Sequence, residues 1–486
     1  MHSSLDLSPE EFTQFAESAV DLITQHYQNL DQQAGFHPHT PTEVRAWFDE
    51  PLPLAGMDRE NLLELVRSRV LAPATGNAGP NMYAYVMSGG NQVSTIADFL
   101  ASTINQNVTK WHLAPSMTEI EKRVVKWGSE MLSYTPDAGG ALVSGGSEAN
   151  LAGLTVARNV FFRDLKIGQE GLFGQKPFTV YCSTETHNCT DKSLSLLGIG
   201  SNHLRKISTH PDFTLRLDLL EQQIQNDIEQ GFRPFCIVGN AGTVNTGAID
   251  DLKGIAAIAE RYQLWFHVDG AYGGLAASLP SLRQHYAGLE LADSIAIDFH
   301  KWLYQPFEVA CILVRDWSHM RETYFKAADY LGGSLPQKTD RFEFNEHYFQ
   351  LSRNAKAFKV WMSLKAYGFT RIQAMMEKDI ALTRYLEQGI LKRPELELKS
   401  QSHLAIACFR YRGQNLTEAQ IDQLNQDMVP ALEKDGRVFI MGTRLNGQFV
   451  LRACVINHRK TEQSIDYLLD VVSDVGAKLA LEMKAK

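Results

Sequence analysis

The spacing of apolar and polar positions divides the chain into three stretches of different character. Up to about Pro80 the apolar residues recur at helical intervals, as Phe12, Phe15, Ala19, Ile23 and Tyr27 do along one face. Ser8-Pro9-Glu10-Glu11 opens that helix with a capping-box pattern and a proline at the first helical position. From Tyr83 to about Gly368 short apolar runs alternate with helical stretches. Ala141–Val143, Thr179–Cys182, Phe235–Val238, Leu264–Val268, Ser294–Asp298 and Ala310–Val314 read as strands. Ser147–Arg158 and Asp218–Glu229 read as helices, the second with Leu220, Ile224 and Ile228 in register and Gly231 as its stop. Strand–helix alternation over this length predicts a mostly parallel sheet covered on both faces. After Gly368 a long helical stretch leads to an alternating strand, Leu404–Tyr411, and a helix from Thr417 to about Glu433. Two strands, Val438–Leu445 and Gln448–Ile456, follow with Asn446-Gly447 between them, a strong hairpin signal, and Thr461 caps a last helix. The pattern predicts an α/β protein with a helical segment (1–80), a large domain (81–370) and a small α+β domain (371–486). The apolar stripe of the first helix lies far in sequence from any core and needs an edge of the main domain or a second subunit to cover it.

Composition narrows the function classes. A chain of 486 residues, 44% hydrophobic and 21% charged, has ample buried area for more than one lobe. Its net charge of -9, spread through the sequence, argues against nucleic acid as a partner. Cys182, Cys189, Cys236, Cys311, Cys408 and Cys454 form neither a CxxC pair nor a zinc spacing, so no metal is expected and the thiols suit a reducing compartment. The first residues lack the basic and apolar regions of a secretion signal, and no apolar run approaches the roughly 20 residues that span a bilayer. A soluble cytoplasmic protein is the expectation.

Candidate chemistry gathers at strand ends. Ser294–Asp298 runs into His300, Lys301 and Trp302, placing a lysine at a strand's carboxyl end, where open α/β sheets hold ligands. Flanked by Phe299 and Trp302, that amine would be partly desolvated and therefore nucleophilic. Val143-Ser-Gly-Gly-Ser-Glu-Ala-Asn150 carries a strand through small residues into a helix, and the exposed N–H groups with the Ser147 hydroxyl suit a phosphate. It is neither a Walker loop nor a dinucleotide fingerprint. In Trp265-Phe-His-Val-Asp-Gly-Ala-Tyr-Gly-Gly274, Asp269 ends an aromatic strand and needs a cationic partner, for which a protonated pyridine nitrogen would serve. His187, in Thr184-Glu-Thr-His-Asn188, and Thr243, in Asn240-Ala-Gly-Thr-Val-Asn-Thr-Gly247, follow further strands. A phosphate cradle, an aromatic lid, a carboxylate for a ring nitrogen and an amine for a Schiff base are together what a pyridoxal phosphate site requires.

These motifs resemble the group II pyridoxal-phosphate-dependent amino acid decarboxylases, which include aromatic-L-amino-acid, glutamate, cysteine-sulfinate and diaminobutyrate enzymes. The similarity runs from about Pro80 to Gly368 and rests on His-Lys-Trp, His-Val-Asp-x-Ala-Tyr-Gly-Gly and Ser-Gly-Gly-Ser-Glu-Ala-Asn. The resemblance implies fold type I (aspartate aminotransferase-like) with a seven-stranded large-domain sheet, and a homodimer with active sites at the interface, across which the first helix packs. It makes Lys301 the internal-aldimine lysine, Asp269 the partner of the pyridinium nitrogen, Ala271 the residue under the ring and His187 the one stacked over it. Gly146 and Ser147 would hold the phosphate with His300 close by, and Thr243 would lie beside the cofactor. Tyr330, in Ala327-Ala-Asp-Tyr-Leu-Gly-Gly333, would reprotonate the quinonoid after carbon dioxide leaves the external aldimine; aldehyde-forming relatives carry phenylalanine there.

Two departures bear on the substrate. Asp298-Phe299, a form shared with diaminobutyrate decarboxylases, stands where many members have Asn-Pro, and Asp298 is expected to turn from the phosphate or to bond a backbone or hydroxyl donor. Thr109, in Asn107-Val-Thr-Lys-Trp111, replaces an aromatic contact of the aromatic enzymes, whereas His-Lys-Trp-Leu-Tyr-Gln-Pro and the Arg452 stretch look closer to them; Arg452 would meet a substrate carboxylate. The expectation is decarboxylation of an amino acid to a primary amine, with an aromatic substrate preferred. The alternatives are 2,4-diaminobutyrate, glutamate, aspartate or cysteine sulfinate as substrate, a fold-type-I aminotransferase or lyase, and a non-enzymatic cofactor-binding regulator.

Overall fold

Seven strands form the central sheet in the computed structural model, which describes residues 5–326 and 341–485. They are β1 (Gly139–Val143), β2 (Phe178–Ser183), β3 (Leu204–Ile207), β4 (Arg233–Asn240), β5 (Trp265–Gly270), β6 (Ser294–Asp298) and β7 (Ala310–Val314), in the spatial order β1-β7-β6-β5-β4-β2-β3. β2 to β6 are parallel, while β7 runs antiparallel to both β1 and β6. The link from β6 to β7, residues 299–309, contains only the four-residue helix Phe299–Trp302 and is too short for a crossover, so β7 must return antiparallel. β1, β2, β5, β6 and β7 are buried along their whole length, which is why they read as continuous apolar runs. β3 went unseen because it is a short edge strand carrying Arg205 and Lys206, the charged composition that protects an edge. The helix Gly146–Phe161 buries Ala149, Ala152, Leu154, Val156, Ala157 and Val160 in one cluster with Val143, Ile312 and Val314 of the sheet. This unit comprises Val86–Arg384 and Ser400–Ala407.

A second compact unit is made of Met1–Tyr85, Tyr385–Lys399 and Cys408–Lys486. Its sheet has the order β10-β11-β9-β8, with β8 Leu396–Ser400, β9 Ile406–Tyr411, β10 Met441–Leu445 and β11 Gln448–Cys454. β10 and β11 form the hairpin expected at Asn446-Gly447, where both residues take positive φ (50° and 80°) as the tight turn demands. Helices Glu418–Asp435 and Glu462–Ala485 follow their caps Thr417 and Thr461. The chain before Tyr85 is stitched into the same unit. Tyr83 N–H donates to Phe439, its carbonyl accepts from Cys454, and its hydroxyl donates to Ser464 carbonyl at 2.7 Å. The first helix, Pro9–Gln28, carries the expected capping box between Ser8 and Glu11, yet none of its residues is buried and Phe12, Val20 and Ile23 face solvent.

Candidate active site

The carboxyl end of β6 turns directly into the helix Phe299–Trp302, whose N-cap is Asp298. Phe299 and Trp302 are fully buried and anchor the turn, leaving Lys301 partly exposed between them. Asp298 bonds to backbone donors, one of its two expected outcomes. Its Oδ2 accepts from Gly146 N–H and its Oδ1 from His300 N–H, both at 3.2 Å. Lys301 Nζ lies 3.7 Å from Oδ2, and His300 Nδ1 lies 2.9 Å from Oδ1. The lysine and the Gly-Gly turn of β1 are therefore brought to one carboxylate.

The helix Gly146–Phe161 starts at that turn with no side-chain cap of its own, and Ser147 in its first turn is exposed. Gly146 N–H is engaged by Asp298, while the N–H groups that follow it and the Ser147 hydroxyl remain available to an anion. A Cβ added at Gly146 would stand 2.7 Å from Ala271 Cβ and 3.8 Å from Lys301 Nζ, so glycine is what keeps this space open. Asp269 lies on the neighbouring strand, paired in register with Ala296; it is buried, and its Oδ1 accepts from Ala271 N–H at 3.1 Å. Small residues, a helix N-terminus, a lysine and a buried carboxylate thus share the ends of β1, β5 and β6, and these groups fit pyridoxal phosphate.

His187 rims the same place on the turn after β2. Its Nδ1 accepts from Cys189 N–H at 3.2 Å, so the neutral ring carries its proton on Nε2. Desolvation lowers its pKa; the Lys301 charge acts in the same direction and the Asp269 carboxylate opposes both. The side chain is exposed, leaving it open to stack on a flat ligand. A buried network holds the turn. Asn240 Nδ2 donates to Thr186 Oγ1 (3.0 Å) and Asp250 Oδ2 (2.8 Å), with Ser183 Oγ at 3.3 Å, and burial pushes the Asp250 carboxyl up to about 6. Thr243 sits in the loop after β4. Its buried hydroxyl pairs with Thr246 Oγ1 (3.0 Å) and accepts from Ala248 N–H (3.1 Å).

The remaining expected positions are Thr109, Arg452 and Tyr330. Thr109 is buried with its carbonyl accepting from Asn345 N–H (3.1 Å), and its hydroxyl has no hydrogen-bond partner among the described residues. Arg452 is buried on β11 of the other unit, where Nη1 donates to Tyr85 carbonyl at 3.3 Å. Tyr330 lies outside the described residues. Conversely, two supporting clusters escaped the sequence. Arg353 forms a buried ion pair with Glu121, donates to Val108 carbonyl (2.9 Å) and stacks over Phe344, tying the segment of Thr109 to β1. His267, within the run already singled out for Asp269, bonds to Asn150 and Ser294. Strand alternation places His267 and Asp269 on one face, the signal that could have found it.

The pyridoxal-dependent decarboxylase conserved domain matches residues 41–412, and the chain belongs to that family. It is 32% identical to the aromatic-L-amino-acid decarboxylase of Bacillus atrophaeus over 482 residues, 99% of this chain and 98% of that one. Tyrosine decarboxylase 4 of Petroselinum crispum is 26% identical over 488 residues, 96% and 95% of the two chains. The solved structure of Oryza sativa TDC with PLP and tryptamine superposes with a TM-score of 0.91 at 25% identity, covering 98% of this chain and 100% of that one. The protein is a pyridoxal-phosphate-dependent carboxy-lyase acting on an amino acid. Among the described residues no helix is long and apolar enough to cross a membrane, and no three or more His, Cys, Asp or Glu side chains are grouped to hold a metal ion.

Proposed function

We propose that Lys301 is the covalent anchor of the cofactor and that the ends of β1, β5 and β6 are the decarboxylation site. The observation that carries this is the convergence of Lys301, Asp298, Ala271 and Gly146, with Gly146 unable to accept even a methyl group. Gly146 and Ser147 would hold the phosphate, with His300 beside it. Asp269 would keep the ring nitrogen protonated, which its buried carboxylate is suited to do. Ala271 and His187 would face the ring from its two sides, and Thr243 would border it. Bound there, pyridoxal phosphate supplies the sink for the electron pair released when the substrate carboxylate departs. Tyr330 would return a proton to the substrate α-carbon, and Arg452 would meet a substrate carboxylate.

The substrate is an aromatic amino acid, supported by the names of the relatives at 32% and 26% identity. One observation favours a polar side chain instead, such as that of 2,4-diaminobutyrate, glutamate, aspartate or cysteine sulfinate: the unpaired, buried hydroxyl of Thr109. The working protein is a cytoplasmic homodimer with its sites at the interface. The exposed Phe12, Val20 and Ile23 of the first helix support this, as do Ile96, Phe99, Leu100 and Ile104 on the helix Gln92–Ile104. Purified holoenzyme should release carbon dioxide and amine in equal amounts from tryptophan, tyrosine or phenylalanine in a panel that includes the four polar amino acids. Release from one of the polar four alone would transfer the assignment to the Thr109 alternative. Keto acid without carbon dioxide would sink both.

A further inference from the structure

The polar groups buried behind Asp269 take no part in the chemistry above. His267 is fully buried two residues before Asp269 and is bonded at both ring nitrogens. Nδ1 lies 2.8 Å from Ser294 Oγ, and Nε2 lies 2.8 Å from Asn150 Oδ1. The ends of this series fix its protons. Asn150 Nδ2 donates to Gly146 carbonyl at 2.9 Å; a carbonyl can only accept, so Asn150 Oδ1 faces the imidazole and Nε2 carries the hydrogen. Ser294 Oγ accepts from the Trp265 indole N–H at 2.9 Å and has its own hydrogen left for Nδ1. Burial, opposed by the Asp269 charge, lowers the His267 pKa to about 4, in keeping with this neutral ring.

Packing makes the same connection. A Cβ at Gly153 would come 2.6 Å from His267 Cε1 and 2.9 Å from Nδ1, so the ring rests on the helix backbone one turn beyond Asn150. Glycine weakens a helix interior, and at this position the seat of the ring requires it. Gly146, where the series ends, also donates its N–H to Asp298.

We propose that His267 is a positioning residue for the cofactor: through Asn150 it fixes the Gly146–Ser147 cradle relative to Asp269, so that one ligand meets both. It touches no reacting atom, and its role rests on Gly146 and Ser147 holding the phosphate as proposed above. The test is titration of pyridoxal phosphate into apo-protein, with the phosphorus resonance of the bound phosphate and the melting temperature recorded for each variant. His267→Phe and Asn150→Ala should each weaken binding about tenfold, as loss of a group that orients a ligand's partners does, and should shift the phosphorus resonance. The double variant should bind no worse than the weaker single, since both changes cut one series. His267→Gln, which keeps a donor toward Asn150, should recover most of the affinity. Losses that multiply to about a hundredfold in the double variant would overturn the proposal. So would a melting temperature that falls while affinity and resonance stay unchanged. Should His267→Phe fail to fold, Gly153→Ala displaces the ring without removing a polar group; weakened binding there supports the role and unchanged binding refutes it. Ser147→Ala separates the two levels. Unchanged binding in that variant refutes the cradle itself, whereas weakened binding beside an unaffected His267→Phe refutes only the positioning role.

Discussion

β5 and β6 carry two polar clusters built on opposite terms. At their carboxyl ends and those of β1 and β2, polar atoms are left available: Lys301 Nζ has its carboxylate neighbour at 3.7 Å, Ser147 is exposed, and the His187 ring is open to solvent. Deeper in the same strands Trp265, His267 and Ser294 are buried and paired atom for atom, ending at Asn150 on the covering helix. A buried polar group without a partner costs about 1–3 kcal/mol, so the deep cluster persists only because every member is satisfied. The open cluster can keep donors in reserve because it borders the space a ligand fills. Reactive groups are thus presented above a buried series whose own hydrogen bonds are closed.

Substitutions should separate the two clusters. Lys301→Ala, on the open side, should lower decarboxylation by on the order of 10⁴ or more while leaving the melting temperature close to that of the wild type. An activity loss matched by general unfolding would erase the contrast. Arg353→Leu should do the reverse. Glu121 would be left buried without its cation, at about 3–5 kcal/mol in stability measured by urea denaturation of the apo-protein. A third test uses pH. The His267 pKa is about 4 folded against 6.5 for the free side chain, so the unfolded chain takes up the proton first as pH falls. The stability linked to this group is therefore fully present above pH 6.5 and lost as pH drops toward 4, on the order of 3 kcal/mol at most. His267→Gln should flatten that part of the stability profile; an unaltered slope would mean that His267 takes up its proton as readily in the folded chain as in the unfolded one. Smallest is Ser147→Ala, which should weaken cofactor binding by roughly 1 kcal/mol in an absorbance titration and leave stability nearly untouched.

The same contrast explains what could be read in advance. Ser294–Asp298 was legible residue for residue because a strand buried on both faces has no polar interruption until it ends. Asp298, His300 and Lys301 stood out for breaking that run. His267 stands in an equally apolar strand but was passed over, because its partners lie elsewhere in the sequence: Ser294 is 27 residues away and Asn150 is 117. Arg353 and Glu121 are likewise 232 residues apart, and neither position carries a local signal. β3 and β8 were missed for the opposite reason, since the charges in Leu204-Arg-Lys-Ile207 and Leu396-Glu-Leu-Lys-Ser400 hide edge strands behind a polar surface. Motifs that meet a ligand are compact in sequence because one turn presents them. Supports that hold those turns together are assembled only by the fold.

The most direct test of the site is borohydride reduction of the holoenzyme followed by mass spectrometry of its peptides. A phosphopyridoxyl group on Lys301, absent from the Lys301→Ala variant, is the result expected. The same group on another lysine of the native protein, or its persistence in that variant, would contradict the assignment.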